Sequence, residues 1–333
     1  MYYNTISPIC KEFFVKNAYT LAISFKMWYD NGENFRKEVE MNINFAIENG
    51  IRATLPPRPT DGHKGTFGRA LLLSGSTTYT GAALLASEGA FRMGAGLVYL
   101  YAPEEVLTLT RIRLPEVICR PFDTPIAALA SVATEDGKGA VLVGPGLGRG
   151  DAAEFGAALG ALLAAPGMPC VLDADALNML AALPDRGVSV LRAAVRAVVL
   201  TPHPLEFARL TGKTVEEIQN NRKETAAAYA KENRVILILK GANSVIASPE
   251  GEISVNPSGS TALAKGGSGD VLAGMLTGLL AQGMNPYAAA CAAAYLHGLA
   301  GERLAEELSD YGTLPSDLPR AAARELKRIL EGK

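Results

Sequence analysis

The sequence predicts an α/β protein with a mainly parallel central sheet that is flanked by helices on both faces. Short apolar segments alternate with longer segments rich in alanine and leucine, as expected for buried strands that are joined by helices. Glycine or a polar residue follows most of the apolar segments. In a parallel sheet the carboxyl ends of the strands meet at one edge, where ligands bind.

Six apolar segments predict strands that alternate with helices, at residues 70–74, 97–101, 140–143, 170–172, 197–200 and 235–239. Two more, at 245–247 and 253–255, flank residues 249–251, a pattern typical of a hairpin. Small-residue and apolar stretches predict helices over 82–93, 152–164, from Asp270 to about 280, and over 286–308. An amphipathic pattern predicts a final helix over 318–330.

The first 50 residues differ from the rest of the chain because they hold ten of its aromatic residues. A proline-rich stretch at 55–62 follows them and indicates a boundary. We therefore predict an aromatic-rich N-terminal extension of unknown role over residues 1–50 and an α/β domain over residues 51–333. The extension is too short to be a second nucleotide-binding domain.

Composition narrows the possible partners. The net charge is −2 and no basic stripe is present, so we expect no nucleic-acid partner. No apolar run reaches the ~18 residues that a membrane helix needs, so we expect no membrane partner. The four cysteines are widely separated and show no metal-type spacing, which favours reduced thiols and a cytoplasmic location.

A glycine-rich stretch at residues 266–269 runs into Asp270 and a helical segment. Glycines permit tight turns and close approach of a ligand, and a helix that begins there directs free N–H groups toward an anion such as phosphate. The helix N-terminus also favours an ionised carboxylate on Asp270. The alternative is that Asp270 only caps the helix, since Asp is a preferred capping residue.

Five other strand ends carry polar or glycine-rich residues, and we expect them to lie beside this stretch. They are Ser74-Gly75, the 144–148 segment, Asp173 to Asp175, Pro202-His203-Pro204 and Lys240-Gly241. The 144–150 segment has Arg149 where the dinucleotide fingerprint needs glycine, and no Walker-type phosphate loop exists. Neither a Gly-x-Ser-x-Gly elbow nor clustered metal ligands are present, so the residues indicate phosphoryl transfer.

Nine motifs occur in order along the chain, at residues 63–68, 79–83, 94–98, 144–148, 173–177, 201–204, Lys240-Gly241, Asn256-Pro257 and 266–270. This ordered set resembles the ADP-dependent NAD(P)H-hydrate dehydratases of the ribokinase-like superfamily. The resemblance runs from about residue 55 to the end of the chain. The family usually has Gly at Leu205 and Thr at Ser268.

This resemblance implies the dehydration of the S form of NADHX or NADPHX to NADH or NADPH, with conversion of ADP to AMP and phosphate. Asp270 would be the catalytic base. An anion hole would be formed by Gly267, Ser268 and Gly269. The family also implies that Mg²⁺ accompanies ADP with few direct protein ligands, and that the chain forms a homo-oligomer, a tetramer. His203 and Glu206 have the spacing of an Asn-x-x-Glu pair that helps to place Mg²⁺ in related kinases.

The family also implies two binding sets. The nucleotide (ADP or AMP) set comprises Lys240, Gly241, Ala242, Asn243, Ser244 and Gly269. The substrate set comprises Ala82, Gly146, Gly148, His203 and Asp270. The residues alone leave alternatives open: a solvated surface lysine at Lys240 and a buried, hydrogen-bonded turn histidine at His203. For the whole chain, the alternatives are an ATP-dependent kinase of the same fold that acts on a vitamin-type small molecule, and a non-catalytic nucleotide sensor.

Overall fold

The structure, a computed structural model, describes residues 33–332. Most of the aromatic-rich segment therefore lies outside the described residues. The chain divides into two compact units. One spans residues 56–326 and contains the sheet; the described part of the other comprises residues 33–55 and 327–332.

The nine strands in the described part of the chain form one sheet in the order β3-β2-β1-β4-β5-β6-β7-β8-β9. All pairs up to β6–β7 are parallel, and β7–β8 and β8–β9 are antiparallel. The strands are β1 Arg69–Leu73, β2 Leu97–Ala102, β3 Ile118–Pro121, β4 Gly139–Val143, β5 Cys170–Leu172, β6 Val198–Leu200, β7 Ile236–Leu239, β8 Val245–Ala247 and β9 Ile253–Val255. The predicted mainly parallel sheet and its terminal hairpin are confirmed.

The edge strand β3 was not predicted from the sequence, because its residues do not form an apolar run. Ile118 and Cys119 are half-buried, and Arg120 and Pro121 are exposed. β3 is the edge strand next to β2, and an edge is where a sheet tolerates proline, which lacks an N–H for the ladder.

Helices connect the strands, and no helix in the described part of the chain is long and apolar enough to cross a membrane. The helices are α1 Glu33–Thr54, α2 Thr80–Arg92, α3 Glu104–Arg113, α4 Pro125–Ala133, α5 Ala152–Ala164, α6 Asp175–Ala181, α7 Val188–Arg192, α8 Pro204–Thr211, α9 Val215–Asn220, α10 Arg222–Asn233, α11 Ser268–Ala281, α12 Pro286–Gly312 and α13 Leu318–Glu331. α12 is kinked at Ser309, where φ is 69°.

Both faces of the central strands are covered. Consecutive residues of β1, β4, β5, β6 and β7 are buried, which is the pattern of strands that helices cover on both sides. Leu71, Val141 and Leu172 belong to a core shared with α4 to α10. On the other face α11 contacts β1, β4 and β5, and α12 contacts β7 and β8.

Helices α2 and α11 pack at short distance because small residues line their contact. A Cβ atom on Gly274 would overlap the carbonyl of Ala86, and one on Gly278 would overlap the carbonyl of Ala90. Backbones approach this closely only where side chains are absent. This contact fixes α11, and with it the turn from which α11 begins.

In the second unit, α1 runs across residue 50, so the predicted boundary lies inside a helix. The guanidinium of Arg328 donates to the carboxylate of Glu48, and that of Arg52 donates to the carbonyl of Ile329. The C-terminal residues and α1 are thus joined by side-chain hydrogen bonds.

Candidate active site

The polar strand ends lie along the carboxyl edge of the sheet, which includes the point between β1 and β4 where the strand order reverses. Gly75 follows β1 and donates its N–H to the carbonyl of Pro145, 2.8 Å away, in the segment that follows β4. Asp173 follows β5, and Lys240 follows β7. Such a switch point opens a crevice at the carboxyl edge of a doubly wound sheet. The predicted convergence of these segments on one edge is confirmed.

The glycine-rich stretch forms the N-terminus of α11, and its cap is Gly267 rather than Asp270. Gly267 adopts φ 102°, a conformation that favours glycine, and the helix begins at Ser268. Asp270 is the third helical residue, so the interpretation of Asp270 as the N-cap is wrong. Its carboxylate is therefore available for another function.

Of the three predicted anion-hole amides, only that of Ser268 already donates to a backbone carbonyl. The N–H of Ser268 donates to the carbonyl of Lys265 at 3.2 Å, so this amide is already engaged. Among the described residues no backbone acceptor bonds the N–H of Gly267 or of Gly269. A Cβ on Gly266 would meet nothing within 4 Å. The turn therefore leaves amides and open space beside Asp270, as an anion site needs.

The carboxyl group of Asp270 is poised to titrate near neutral pH. Burial, helped by repulsion from Asp173, raises the pKa of Asp270 to about 7, although the ammonium of Lys240 acts in the opposite direction. The sequence predicted the reverse, since a helix N-terminus favours the ionised form. Desolvation outweighs the helix dipole here. A carboxylate with this pKa is a suitable general base near neutral pH.

Lys240 is not a solvated surface lysine. Its Nζ donates to Oδ1 of Asp173 at 2.9 Å, and the exposed fractions of the two side chains are 19% and 2%. Burial disfavours the charged form of Lys240, but the carboxylates of Asp173 and Glu206 outweigh it and raise the Lys240 pKa. Nζ would lie 3.3 Å from a Cβ on Gly269. The structure therefore places a permanent positive charge beside the turn.

The rest of the predicted nucleotide segment forms an open loop after β7. Gly241, Ala242 and Asn243 are exposed, and Ser244 is half-buried. The hydroxyl of Ser244 donates to the carbonyl of Gly241 at 3.0 Å. The guanidinium of Arg222 donates to the carbonyl of Lys240 at 3.2 Å. These bonds shape the loop while its outer surface stays accessible.

Three of the predicted substrate residues lie close together. A Cβ on Gly146 would be 2.7 Å from the Cβ of Ala82, so the backbone of the 144–148 loop lies against the start of α2. The N–H of Gly148 donates to Oδ2 of Asp175 at 2.9 Å. The loop is thus tied to α2 on one side and to the segment after β5 on the other.

His203, the fourth predicted substrate residue, caps helix α8. Its Nδ1 accepts from the N–H groups of Leu205 and Glu206 at 3.1 and 3.3 Å, and Oε2 of Glu206 accepts from the His203 N–H at 2.8 Å. Burial lowers the pKa of His203, so the ring is neutral at physiological pH with its proton on Nε2. The side chain is 45% exposed. His203 is therefore a capping residue whose ring is half-exposed, rather than a buried turn histidine.

Comparison with known proteins agrees with this geometry. A family described as NAD(P)H-hydrate dehydratase matches residues 70–324. The chain belongs to this family. An ADP-dependent (S)-NAD(P)H-hydrate dehydratase of Bacillus subtilis is 40% identical over 289 residues, which cover 87% of this chain and 100% of the relative.

Some family members are longer. A bifunctional NAD(P)H-hydrate repair enzyme of Moorella thermoacetica is 40% identical over 274 residues, which are 80% of this chain and 51% of the relative. The chain therefore spans about half the length of that relative. It spans the full length of the Bacillus subtilis dehydratase.

Solved structures of similar proteins share the fold of this chain. The crystal structure of the ADP/ATP-dependent dehydratase of Bacillus subtilis, co-crystallised with ATP/Mg²⁺, has a TM-score of 0.73 and 38% identity, and covers 85% of this chain and 97% of that chain. A ribokinase-like superfamily protein of Enterococcus faecalis has a TM-score of 0.68 and 28% identity, covering 85% and 94%. The predicted ribokinase-like fold is confirmed.

Two residues of the site were not among the predicted site residues. Asp173 was recognised only as a strand end. His297 of α12 is buried, and its Nε2 lies 3.2 Å from Oγ and 3.0 Å from the carbonyl oxygen of Ser268. Because a carbonyl only accepts, Nε2 carries the proton, and burial lowers the pKa of His297 to about 4. No sequence signal predicts the contact between His297 and Ser268, because the two residues lie on different helices.

The site suits a nucleotide-bound Mg²⁺ better than a dedicated metal centre. The described residues hold no group of three or more His, Cys, Asp or Glu side chains that could bind a metal ion. Asp173 is bonded to Lys240, and Glu206 is bonded to the His203 N–H. Mg²⁺ keeps several waters and takes ligands from phosphates, so this set of residues fits an ion that arrives with the nucleotide.

Proposed function

We propose that the chain dehydrates the S form of hydrated NADH or NADPH to NADH or NADPH, with ADP converted to AMP and phosphate. The observation that carries the proposal is Asp270, a carboxyl with a pKa of about 7 beside the open turn and the Lys240 ammonium. Relatives that align over most of this chain are named for the same reaction.

The reaction removes a hydroxyl group from a reduced pyridine ring, and hydroxide is a poor leaving group. Asp270 takes the hydroxyl proton as the hydroxyl oxygen bonds to the β-phosphorus of ADP. The bond from that phosphorus to the bridging oxygen breaks, and AMP leaves. Phosphate then leaves the ring, and loss of a proton from the adjacent ring carbon restores the double bond.

The other predicted residues bind the reacting molecules. The anion hole of Gly267, Ser268 and Gly269 stabilises the transferred phosphoryl group through the N–H groups of Gly267 and Gly269, because the N–H of Ser268 donates to Lys265. Mg²⁺ supplies charge neutralisation on the phosphates when it is bound. The 240–244 segment, with Gly269, binds the nucleotide. Ala82, Gly146, Gly148 and His203, with Asp270, bind the hydrate.

The rival functions share the fold but not the whole set of motifs. An ATP-dependent kinase for a vitamin-type substrate would use the same turn and base. The Gly-rich 144–148 loop and the Pro202-His203-Pro204 segment favour the dehydratase over such a kinase. A nucleotide sensor would not need a base with a raised pKa at the turn.

Incubation with NADHX and ADP tests the function, with the recovery of NADH followed by absorbance. We expect NADH to appear with ADP and Mg²⁺, and AMP and phosphate to form in equal amounts. Parallel reactions replace ADP with ATP or NADHX with NADPHX, which shows the nucleotide and substrate preferences. A reaction with EDTA shows whether a divalent cation is needed. No NADH with either nucleotide, together with ATP-dependent phosphorylation of another metabolite, would favour the kinase.

We further propose a cytoplasmic homotetramer whose activity resides in residues 51–333. Cys119, Cys170 and Cys291 are free thiols, as expected in a reducing compartment. Light scattering during gel filtration measures the mass of the assembly. A chain that begins at residue 51 should keep its NADHX turnover, and loss of turnover without unfolding would contradict the proposed domain.

A further inference from the structure

Both the backbone and the side chain of Asp173 make close contacts. Its residue is 1% exposed, its N–H donates to the carbonyl of Val143 at 3.1 Å, and Oδ1 accepts from Lys240. A Cβ on Gly144 would overlap the carbonyl oxygen of Asp173. The backbone of Asp173 is thus fixed against the end of β4, and its carboxylate accepts from the ammonium of Lys240, which follows β7.

The backbone beside Asp173 is strained. Ala174 adopts φ 48° and ψ −113°, which few residues with a side chain adopt. The next residue, Asp175, accepts from the N–H of Gly148. The segment therefore presents one carboxylate to Lys240 and another to the 144–148 loop. Strain of this kind persists where surrounding contacts impose it, commonly at functional sites.

Stability is a poor explanation for the Asp173–Lys240 pair. Buried ion pairs often contribute little net stability, because removing both charges from water offsets their attraction. A lysine has a long flexible stem, and Asp173 restricts it to one position. At that position Nζ lies next to Gly269 at the head of α11.

We propose that Asp173 is a positioning residue that holds the Lys240 ammonium at the 266–270 turn, against the phosphoryl group in transfer. This inference rests on the proposed function. It assigns Lys240 to the transferred phosphoryl group, whereas the family resemblance assigned it to the AMP part of the nucleotide. An ammonium at this point stabilises the charge that develops in the transition state.

The charges that face Asp270 make the proposal testable by pH. Beyond burial, Asp173, Asp175 and Glu206 raise the pKa of Asp270, and Lys240 lowers it. Neutralising Asp173 should therefore lower this pKa, and neutralising Lys240 should raise it. Two variants that both slow the reaction should shift its pH profile in opposite directions.

The experiment compares Asp173→Asn, Lys240→Met and the double variant in NADHX turnover with ADP. We expect each single variant to lower kcat by about 10- to 100-fold, with a smaller change in the KM for NADHX. The acidic limb of the kcat profile should move to lower pH in Asp173→Asn and to higher pH in Lys240→Met. The double variant should be no slower than Lys240→Met, because Asp173 acts through Lys240.

Glu325→Gln is the matched control. Glu325 is 7% exposed and its Oε1 lies 3.2 Å from Nε of Arg303, so the variant also removes a buried carboxylate that bonds a cation. We expect wild-type kcat and an unshifted pH profile. Melting temperatures of all variants separate lost folding from lost chemistry.

Wild-type kcat with an unshifted profile in Asp173→Asn would overturn the proposal, as would multiplicative losses in the double variant. If Asp173→Asn does not fold, Asp173→Ser takes its place in the same tests. A wild-type protein without NADHX turnover would instead refute the proposed function. In that case the affinity for ADP, compared between wild type and Asp173→Asn by calorimetry, decides whether Asp173 places Lys240 on the phosphates, and equal affinities would overturn it.

Discussion

Two glycine-rich turns lie at the same edge of the sheet, yet their glycines serve different purposes. In the 144–148 loop, a Cβ on Gly144 would overlap the carbonyl of Asp173, and one on Gly146 would be 2.7 Å from the Cβ of Ala82. In the 266–270 turn, a Cβ on Gly266 would meet nothing within 4 Å, and one on Gly269 would meet only Nζ of Lys240, at 3.3 Å. Packing therefore requires glycine at Gly144 and Gly146, whereas Gly266 and Gly269 leave room for a ligand.

The largest expected effect is that of Asp270→Asn on turnover. A general base typically contributes a factor of about 10² to 10⁴, so kcat should fall by about 10³. Binding of ADP, measured by calorimetry, should change little. The exposed Asp61→Asn serves as the control. Unchanged turnover would show that the 266–270 turn is not the reactive one.

The same variant should be more stable than the wild type at alkaline pH. The folded protein holds the Asp270 proton up to about pH 7, whereas an unfolded chain releases it near pH ~4. Wild-type stability therefore falls as the pH rises through this window. We expect Asp270→Asn to gain about 1–3 kcal/mol at pH 8 and little at pH 4, measured by urea denaturation. A pH-independent difference would contradict the raised pKa.

Gly144→Ala should damage the fold rather than the chemistry. Its φ is 130°, and the added methyl would overlap a backbone oxygen that cannot move without shifting β5. We expect a loss of about 3 kcal/mol or more in unfolding free energy. Gly150→Ala is the matched control, because nothing lies within 4 Å of a Cβ there. If Gly144→Ala were as stable as the wild type, packing would not require glycine at this position, and the contrast with the 266–270 turn would be lost.

Gly269→Ala should do the reverse and spare the fold. Gly269 lies in the first turn of α11, and alanine is favoured over glycine in helices by up to about 1 kcal/mol. The methyl would crowd Nζ of Lys240 and the approaching phosphate, so kcat/KM for ADP should fall about 10- to 100-fold. Gly160→Ala in α5, with only an ordinary contact 3.9 Å away, should leave activity unchanged. A destabilised but fully active Gly269→Ala would reverse the comparison.

The smallest effect expected is that of moderate acidity. Asp270 must be ionised to accept a proton, so kcat/KM for ADP, which reports the free enzyme, should lose about half its value near pH 7 and about tenfold by pH 6. Melting temperatures at each pH exclude unfolding as the cause. An acidic limb near pH 4 would mean that burial does not perturb this carboxyl.

Local sequence patterns were sufficient to predict the strands and turns that form the site. Apolar segments and their terminal glycines predicted most strands within a residue or so, the β8–β9 hairpin, and the edge where Asp270, Lys240 and the 144–148 loop converge. These features follow from side-chain periodicity and turn chemistry, which act over a few residues. The edge strand β3 lacks an apolar pattern and was missed for that reason.

Only the tertiary structure determined the charge environment of Asp270 and Lys240. Asp173 and Lys240 are separated by 67 positions in sequence, and His297 and Ser268 by 29, so no local spacing reveals either contact. From the sequence alone, Asp270 was expected to be ionised by the helix N-terminus, and Lys240 could have been a solvated surface lysine. Both expectations depend on exposure to water, and exposure is set only when distant segments pack together. The sequence therefore determined where a phosphoryl group can bind, and packing determined the proton affinity of the base beside it.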